Sequence, residues 1–293
     1  MRVLPTKRMS AADAAIETLK QATEFNLEDP LRDGSLLRFA NYGQVVMTGD
    51  LHGHRRNFDK LVRYCRLEQT PIRHILLHEM IHEEPKGPDW ADLSVELLLD
   101  AAQWKVFFPE QVHFLQSNHE LAQMQNHEIS KGGRLVTDEF QRGVGQVLGD
   151  EKLDEVMQAI EAFIASFPLA ARSDNGIFFS HSLPDVYHLE TFDPNCIFQP
   201  ADKLDWSEGS SVYQMMWGRR HTPAMLDKLS AAWDVRYFII GHLAQEMGYS
   251  VFHDRLLVLS TDNNHGAFLP VDCSKQYDME KLISRIQYCV GVL

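Results

Sequence analysis

Side chains that can bind metal ions recur at the ends of five short apolar segments. These side chains are Asp50 and His52; His78 and Glu79; Asn118, His119 and Glu120; His181; and His242. A single histidine in such a place is more often an ordinary hydrogen-bonded side chain, but recurrence at five separate ends favours one shared site. Imidazole together with carboxylate is the ligand set of zinc, iron or manganese rather than calcium. The residue types and their positions therefore predict a metal centre.

The segments that must position these residues alternate between strand and helix patterns. Apolar, β-branched runs at residues 44–48, 74–77 and 111–115 predict buried strands. Helical patterns follow at 57–65 and 91–107, and a loop and helix follow at 117–125. This rhythm predicts a mostly parallel sheet flanked by helices, in which ligands bind at the carboxyl ends of the strands.

The remainder of the chain predicts further elements on either side of this unit. Residues 10–25 predict a helix with Ser10 as its N-cap, whereas residues 28–43 predict a loop. Two more helices are predicted at 137–148 and 151–167. Strands are predicted at 176–180, 235–240, 249–253, 256–260 and 266–271. The β-rich C-terminal third indicates a second sheet packed on the first.

Composition excludes several classes of function. The 293 residues include 28 Lys and Arg against 41 Asp and Glu, a net charge of −13 that argues against a nucleic-acid partner. No apolar run reaches the ~18–20 residues of a membrane span, so we expect no membrane partner. The four cysteines are too widely spaced for a disulfide framework or a zinc knuckle. We therefore expect a cytoplasmic protein, whose oligomeric state composition does not predict.

The order of the motifs resembles that of the calcineurin-like metallophosphoesterases, and most of all their Ser/Thr phosphoprotein phosphatase branch. Gly-Asp-x-His-Gly at 49–53 is followed by the acid Glu79, by Asn-His-Glu at 118–120, and by single histidines after two later strands. The resemblance spans residues 44–271. It implies a metallophosphoesterase-type α/β sandwich, with two packed mixed β-sheets flanked by helices, over residues 44–293. Residues 1–43 are then an N-terminal helical extension packed on this domain.

The resemblance also implies a set of ligands for two divalent or trivalent metal ions. Asp50 and His52 would bind one ion, and Glu79 would bridge the pair. The other ion would be bound by Asn118, His181 and His242. Manganese, iron and zinc all suit these residue types. His119 stands where the family places its general acid.

The second motif departs from the family pattern Gly-Asp-x-x-Asp-Arg-Gly, because this chain has His-Glu-Met-Ile-His-Glu-Glu at 78–84. Glu79 replaces the bridging aspartate and adds one methylene. His82 replaces the aspartate that would orient the general acid, and is itself a candidate proton donor. Glu83 replaces a phosphate-binding arginine, and Gln116 stands in place of another. We therefore look elsewhere for cations that bind phosphate, and the candidates are Arg219, Arg220 and Arg55.

The favoured hypothesis is a metal-dependent phosphoesterase that hydrolyses a phosphomonoester carried by a protein or a small molecule. Two alternatives stay open. One is a catalytically impaired, metal-binding pseudo-phosphatase with a regulatory or binding role, which the altered second motif favours. The other is a hydrolase of a nucleotide or diphosphoryl ligand, because related enzymes share the same arrangement of metal ligands.

Overall fold

The computed structural model describes residues 9–84, 90–127, 129–131 and 134–293. Its α-helices are α1 (Ala11–Leu27), α2 (Arg55–Cys65), α3 (Val95–Phe107), α4 (Asn118–Gln125), α5 (Val136–Leu148), α6 (Leu153–Ala165), α7 (Ser211–Trp217), α8 (Pro223–Trp233) and α9 (Met279–Arg285). The first helix begins as predicted, with the Ser10 side chain accepting a hydrogen bond from the amide of Asp13. Among the described residues, no helix combines the length and apolar character needed to span a bilayer.

The strands form two large mixed sheets and one short hairpin. They are β1 (Arg32–Asp33), β2 (Leu36–Phe39), β3 (Gln44–Thr48), β4 (Arg73–Leu77), β5 (Val112–Phe114), β6 (Ser130–Lys131), β7 (Arg134–Leu135), β8 (Ala170–Ser173), β9 (Ile177–Ser180), β10 (Tyr237–Ile240), β11 (Tyr249–Phe252), β12 (Leu256–Leu259), β13 (Ala267–Asp272) and β14 (Gln287–Tyr288). One sheet has the order β1-β2-β8-β9-β10-β12-β11 and the other β14-β13-β3-β4-β5, while β6 pairs with β7. The predicted pair of mixed sheets is confirmed.

Side chains alternate between the two faces of each strand. Each sheet therefore packs against the other sheet on one face and against helices on the other, which gives four layers. In β3, which belongs to the five-stranded sheet, Val45 and Met47 face the seven-stranded sheet. Val46 points the other way and packs beneath the helices that cover the five-stranded sheet. Phe178 in β9 faces the other way, against Trp233 of α8, with the two rings stacked at 4.3 Å. The helices therefore lie on the two outer faces, and the strand ends of both sheets meet at one edge.

The predicted loop at residues 28–43 is wrong, because this segment contains β1 and β2. Leu36 and Leu37 are buried, and β2 lies parallel to β8 with Leu36 opposite Ala170. The apolar run is only four residues long, and its partner strand is far away in the sequence, so local pattern could not reveal it. The proposed division of the chain at residue 43 stays a prediction, although β2 is part of the larger sheet.

A buried ionic cluster connects the end of α1 to the five-stranded sheet. Asp29 accepts hydrogen bonds from Lys105 Nζ at 3.1 Å and from His113 Nδ1 at 2.8 Å, and His74 Nδ1 lies 3.1 Å from His113 Nε2. Burial alone would raise the pKa of Asp29, but the attraction of His113 and Lys105 outweighs it and lowers that pKa well below its usual range. The carboxylate is therefore charged at neutral pH and stabilises its neighbours.

We predict that Asp29→Asn lowers the free energy of unfolding by about 3–5 kcal/mol, because it leaves the buried Lys105 without its counter-charge. Urea unfolding measures the change. Asp33→Asn is the matched control, since Asp33 forms an exposed ion pair with Arg38, and this variant should cost about 1 kcal/mol or less. Equal losses for the two variants would contradict the prediction.

Candidate metal centre

The centre lies where the carboxyl ends of strands from both sheets meet. Asp50 follows β3, and its backbone forms an isolated parallel bridge with Ser260 at the end of β12. His242, after β10, donates its backbone amide to Asp50 Oδ1 at 2.9 Å. These contacts join the two sheets at the edge that carries the predicted ligands.

The loops after β3 and β4 are joined through their backbones. The amides of Leu51 and His52 both donate to the Glu79 carbonyl, at 2.9 and 2.7 Å, and the Gly53 amide donates to the Met80 carbonyl at 2.8 Å. The buried Glu120 accepts from the Met80 amide at 2.7 Å, which ties the same loop to the start of α4. The position of Glu79 is therefore set by two neighbouring segments.

Glu79 lies between two groups of donor atoms. Its Oε1 is 3.9 Å from His52 Nε2 and 3.6 Å from His119 Nε2, whereas its Oε2 is 3.5 Å from His181 Nδ1. The backbone at Glu79 is left-handed, with φ of +47°. The carboxylate can therefore contact both halves of the centre.

A second group converges from three elements. His181 Nε2 lies 2.7 Å from Asn118 Oδ1 and 3.0 Å from His242 Nδ1. Atoms bound at ~2.1 Å to one ion, at right angles to each other, would be about 3.0 Å apart. The separations and the donor types therefore fit a single transition-metal ion shared by these three side chains.

The carboxyl groups of the centre also fit a cation. Asp50 and Glu79 are both buried and interact with each other through their side chains. Burial raises the pKa of Asp50 to about 7, and burial followed by repulsion from Asp50 raises the pKa of Glu79 well above its usual range. Two carboxylates in such a place are costly unless positive charge neutralises them.

His78 is among the metal-binding residue types that the sequence places at strand ends, but it was given no role as a ligand, and the structure places it inside the centre. Its side chain is fully buried, with Nδ1 3.5 Å from Asp50 Oδ1 and 3.1 Å from His181 Nδ1. Burial lowers the pKa of His78 to about 4, so the ring is neutral at pH 7. The family pattern has a glycine at this position, so the resemblance offered no role for the side chain.

His119 and His82 form a chain of contacts at the mouth of the centre. His82 Nδ1 lies 2.8 Å from His119 Nδ1, and His82 Nε2 lies 2.9 Å from Gln123 Oε1. The side chains of His52 and His119 are 16% and 12% exposed, whereas those of the other ligand-type residues are nearly or fully buried. Solvent therefore approaches the centre past these two histidines.

Several site residues have strained backbones. His52, Glu79, His82 and His242 all have positive φ, between +42° and +65°. A side chain in this left-handed region costs ~1–2 kcal/mol relative to the right-handed one, so the surrounding contacts must offset it. Strain concentrated in one place is a mark of functional sites.

The three candidate phosphate-binding arginines have different surroundings. Arg219 donates to the His242 carbonyl at 3.2 Å, and burial followed by its positive charge lowers the pKa of His242 to about 3. Arg220 stacks over Tyr187, with 5.0 Å from its guanidinium carbon to the ring centre. Arg55 pairs with Asp59 at 3.1 Å and with Asp100 at 2.5 Å. Arg219 is thus the one whose charge acts on a ligand-type side chain.

Gln116 and Glu83, which stand where the resembling family has arginines, also differ in their surroundings. Gln116 is fully buried, donates to the Ile164 carbonyl at 3.3 Å and accepts from the Ser117 amide. It therefore belongs to the core. Glu83 lies over Gly53, where a Cβ on that glycine would come within 2.5 Å of the Glu83 Cβ.

Comparison with known proteins shows which fold this chain shares. No protein-family model and no curated protein matches the chain. Among solved structures, the chain resembles a protein serine/threonine phosphatase from Saccharomyces cerevisiae with similarity to human phosphatase PP5. The TM-score is 0.66 and the identity 13%, and the match covers 94% of this chain and 88% of that one. The chain also resembles a cold-active protein-tyrosine phosphatase from a psychrophilic Shewanella species, with a TM-score of 0.54, 16% identity, and 86% and 80% coverage. The predicted α/β sandwich is therefore confirmed as a fold that these phosphatases share.

We predict that the purified protein binds transition-metal ions and that His242→Ala weakens this binding by roughly 10-fold or more, because it removes one donor of the group around His181. Metal titration with zinc or manganese, followed by calorimetry, measures the affinity. His265→Ala is the matched control, since His265 is exposed and lies outside the donor groups. An unchanged affinity in His242→Ala would contradict the assignment.

Proposed function

We propose that this protein is a metal-dependent phosphoesterase that hydrolyses phosphomonoesters at the centre described above. The observation that carries the proposal is that Asn118 Oδ1 and His242 Nδ1 both lie within 3.0 Å of His181 Nε2, beside the buried pair Asp50 and Glu79. The fold shared with two kinds of protein phosphatase supports the same reaction class. We further propose that two ions bind.

In this proposal Asp50 and His52 would hold one ion, Asn118, His181 and His242 would hold the other, and Glu79 would contact both. When bound, the ions supply a nucleophile at neutral pH and neutralise charge on the phosphoryl group. Manganese, iron and zinc all fit the donor set. The backbone contacts between the two loops keep Glu79 central, which is what a bridging carboxylate requires.

We assign His119 the role of general acid, because its Nε2 points toward Glu79 while part of the ring remains open to solvent. From there it can deliver a proton to the leaving oxygen of a phosphoester that enters past His52. His82 is buried, with both ring nitrogens in contact with other side chains, so it acts through His119. We therefore propose His82 as a positioning residue, in the place where the family has an aspartate.

We propose Arg219 as the principal phosphate-binding residue. It is exposed and adjoins His242, so its guanidinium can contact a phosphoryl group at the centre and form charge-assisted hydrogen bonds. A cavity of about 390 Å³ extends beside it and is lined by Tyr187, Tyr213 and Trp217. This space suits the organic part of a phosphorylated side chain, so we propose a phosphoprotein or a phosphopeptide-like substrate.

The second candidate function is a metal-binding pseudo-phosphatase, and Glu83 is the observation that favours it. Its side chain packs over Gly53 at the end of the first motif, with its Cγ 3.1 Å from the position of a Cβ on that glycine, and a carboxylate in this segment would repel a phosphate that approaches the centre. The metal centre would then serve stability or recognition. Metal-loaded protein that hydrolyses no phosphoester would support this function over the first.

We predict that the manganese-loaded protein hydrolyses an aryl phosphate and that Asp50→Asn lowers kcat roughly 100-fold or more, because the buried carboxylate is a proposed metal ligand. Release of the aryl alcohol gives the rate. His265→Ala should keep wild-type activity. Metal-replete wild type that is inert on aryl and alkyl phosphates alike would refute the phosphoesterase proposal.

Three single variants separate the candidate phosphate-binding arginines. We predict that Arg219→Ala raises KM roughly 10-fold or more, because a charge-assisted hydrogen bond to phosphate is lost. Arg220→Ala and Arg55→Ala should each change KM less than about 3-fold, since these side chains already contact Tyr187 or two aspartates. A larger effect from either of them would reassign the phosphate contact.

A further inference from the structure

His78 lies between a backbone carbonyl and a proposed metal ligand. Its Nε2 is 3.0 Å from the Thr48 carbonyl oxygen, and its Nδ1 is 3.1 Å from His181 Nδ1 and 3.5 Å from Asp50 Oδ1. The side chain is fully buried, so both nitrogens depend on protein partners, and His181 is the closer partner of Nδ1. The ring therefore connects the end of β3 to the segment after β9.

The two distances determine which nitrogens carry hydrogen. A carbonyl oxygen only accepts, so His78 Nε2 must carry the hydrogen that it donates to Thr48. In a neutral imidazole the other nitrogen, Nδ1, is then an acceptor, and it must receive the hydrogen of His181 Nδ1. The remaining nitrogen of His181, Nε2, is left with its lone pair, and this is the atom that lies near Asn118 Oδ1 and His242 Nδ1.

We propose that His78 is a positioning residue of the metal centre, which fixes the tautomer and the ring orientation of His181 so that its Nε2 lone pair faces the metal. The inference rests on the proposed role of His181 as a ligand. A ligating histidine commonly donates its other N–H to a neighbouring acceptor, and loss of that acceptor weakens metal binding. Here the acceptor is a second imidazole, supplied by the motif in which the family resemblance would place a glycine.

The position of the His78 ring depends on a close approach to the segment after β10. A Cβ on Gly241 would lie 2.5 Å from His78 Cε1 and 2.2 Å from Asp50 Oδ1. A side chain at Gly241 would therefore displace the imidazole, the carboxylate or both. This packing leaves the ring little freedom, as positioning of His181 requires.

The same arrangement recurs on the other side of Glu79. His82 Nε2 faces the side-chain oxygen of Gln123, and its Nδ1 faces His119 Nδ1. His78 and His82 both belong to the second motif, and each has Nε2 near a protein oxygen and Nδ1 near the Nδ1 of a site histidine. His52 is oriented by a backbone group instead, with its Nδ1 3.0 Å from the Ile81 carbonyl oxygen. His52, His119 and His181 thus all direct Nε2 toward other site residues, whereas His242 does so with Nδ1.

Two variants at position 78 separate the two contacts of the ring. The carboxamide of Asn ends near the position of Nδ1, so His78→Asn keeps an acceptor for His181. The carboxamide of Gln ends near Nε2, so His78→Gln keeps only the donor to Thr48. We expect His78→Gln to weaken the binding of one equivalent of zinc by roughly 10–100-fold, and His78→Asn to weaken it much less. Calorimetric titration of the full chain with zinc measures both, and urea unfolding checks that both variants fold.

The tautomer itself is read from metal-free protein labelled with ¹⁵N-histidine. Long-range proton–nitrogen correlation should show His181 protonated at Nδ1 in the wild type and in His78→Asn, and a change of that pattern in His78→Gln. His181 protonated at Nε2 in the wild type would overturn the proposal. Equal zinc affinity in both variants would also overturn it, as would a ¹⁵N shift on zinc addition showing that His78 Nδ1 itself binds the metal.

Failure of the proposed function would look different. Wild type that binds zinc but hydrolyses no phosphoester would remove the phosphoesterase proposal and leave the role of His78 intact. Wild type that binds no metal would remove the ligand assignment of His181, and with it the inference, whatever tautomer the spectra show.

Discussion

The structure of the centre depends on the burial of two carboxyl groups, Asp50 and Glu79, side by side. In a low-dielectric interior two negative charges at contact distance repel strongly, and removal from water raises the pKa of each group. Nearby histidine nitrogens supply lone pairs but no permanent positive charge. The arrangement therefore requires protons or cations, and its donor atoms are spaced as a cation would need.

Holding these groups together needs support from distant parts of the chain. The loops after β3 and β4 share three backbone hydrogen bonds, and the His242 amide reaches Asp50 from the other sheet. These contacts offset the left-handed backbones at His52, Glu79 and His242. The two-sheet sandwich is thus a rigid frame that keeps an unfavourable local geometry in place. The three apolar clusters between the layers of helices and sheets give that frame its stability.

In the second motif, His78 and His82 stand where the pattern of the resembling family has a glycine and an aspartate. The change at position 82 replaces a negative charge with a side chain that has two hydrogen-bonding nitrogens. His78 and His82 each have Nε2 near a protein oxygen and Nδ1 near the Nδ1 of a site histidine. In our proposal these contacts orient two site histidines without adding negative charge, while the Glu83 side chain packs against Gly53. In the proposed function, substrate binding relies on cations from other segments, and Arg219 is the candidate that contacts the backbone of His242.

The sequence by itself determined the fold class and which strand ends carry the ligand-type residues. Parallel strands place their carboxyl ends at one edge, so local apolar runs followed by Asp50, Glu79 and His181 were enough to predict a shared site. The tertiary structure alone decided the rest. The strand at Leu36–Phe39 forms only because β8 lies beside it, and Gln116 turns into the core because α6 accepts its amide. Only the packing between the sheets set His78 between Thr48 and His181, because hydrogen-bond partners so far apart in the chain leave no local pattern. The same reason applies to Asp50 and His52. Their residue types predicted a metal centre, but the distances between them and their proposed partners arise from contacts with the loop after β4 and with the seven-stranded sheet.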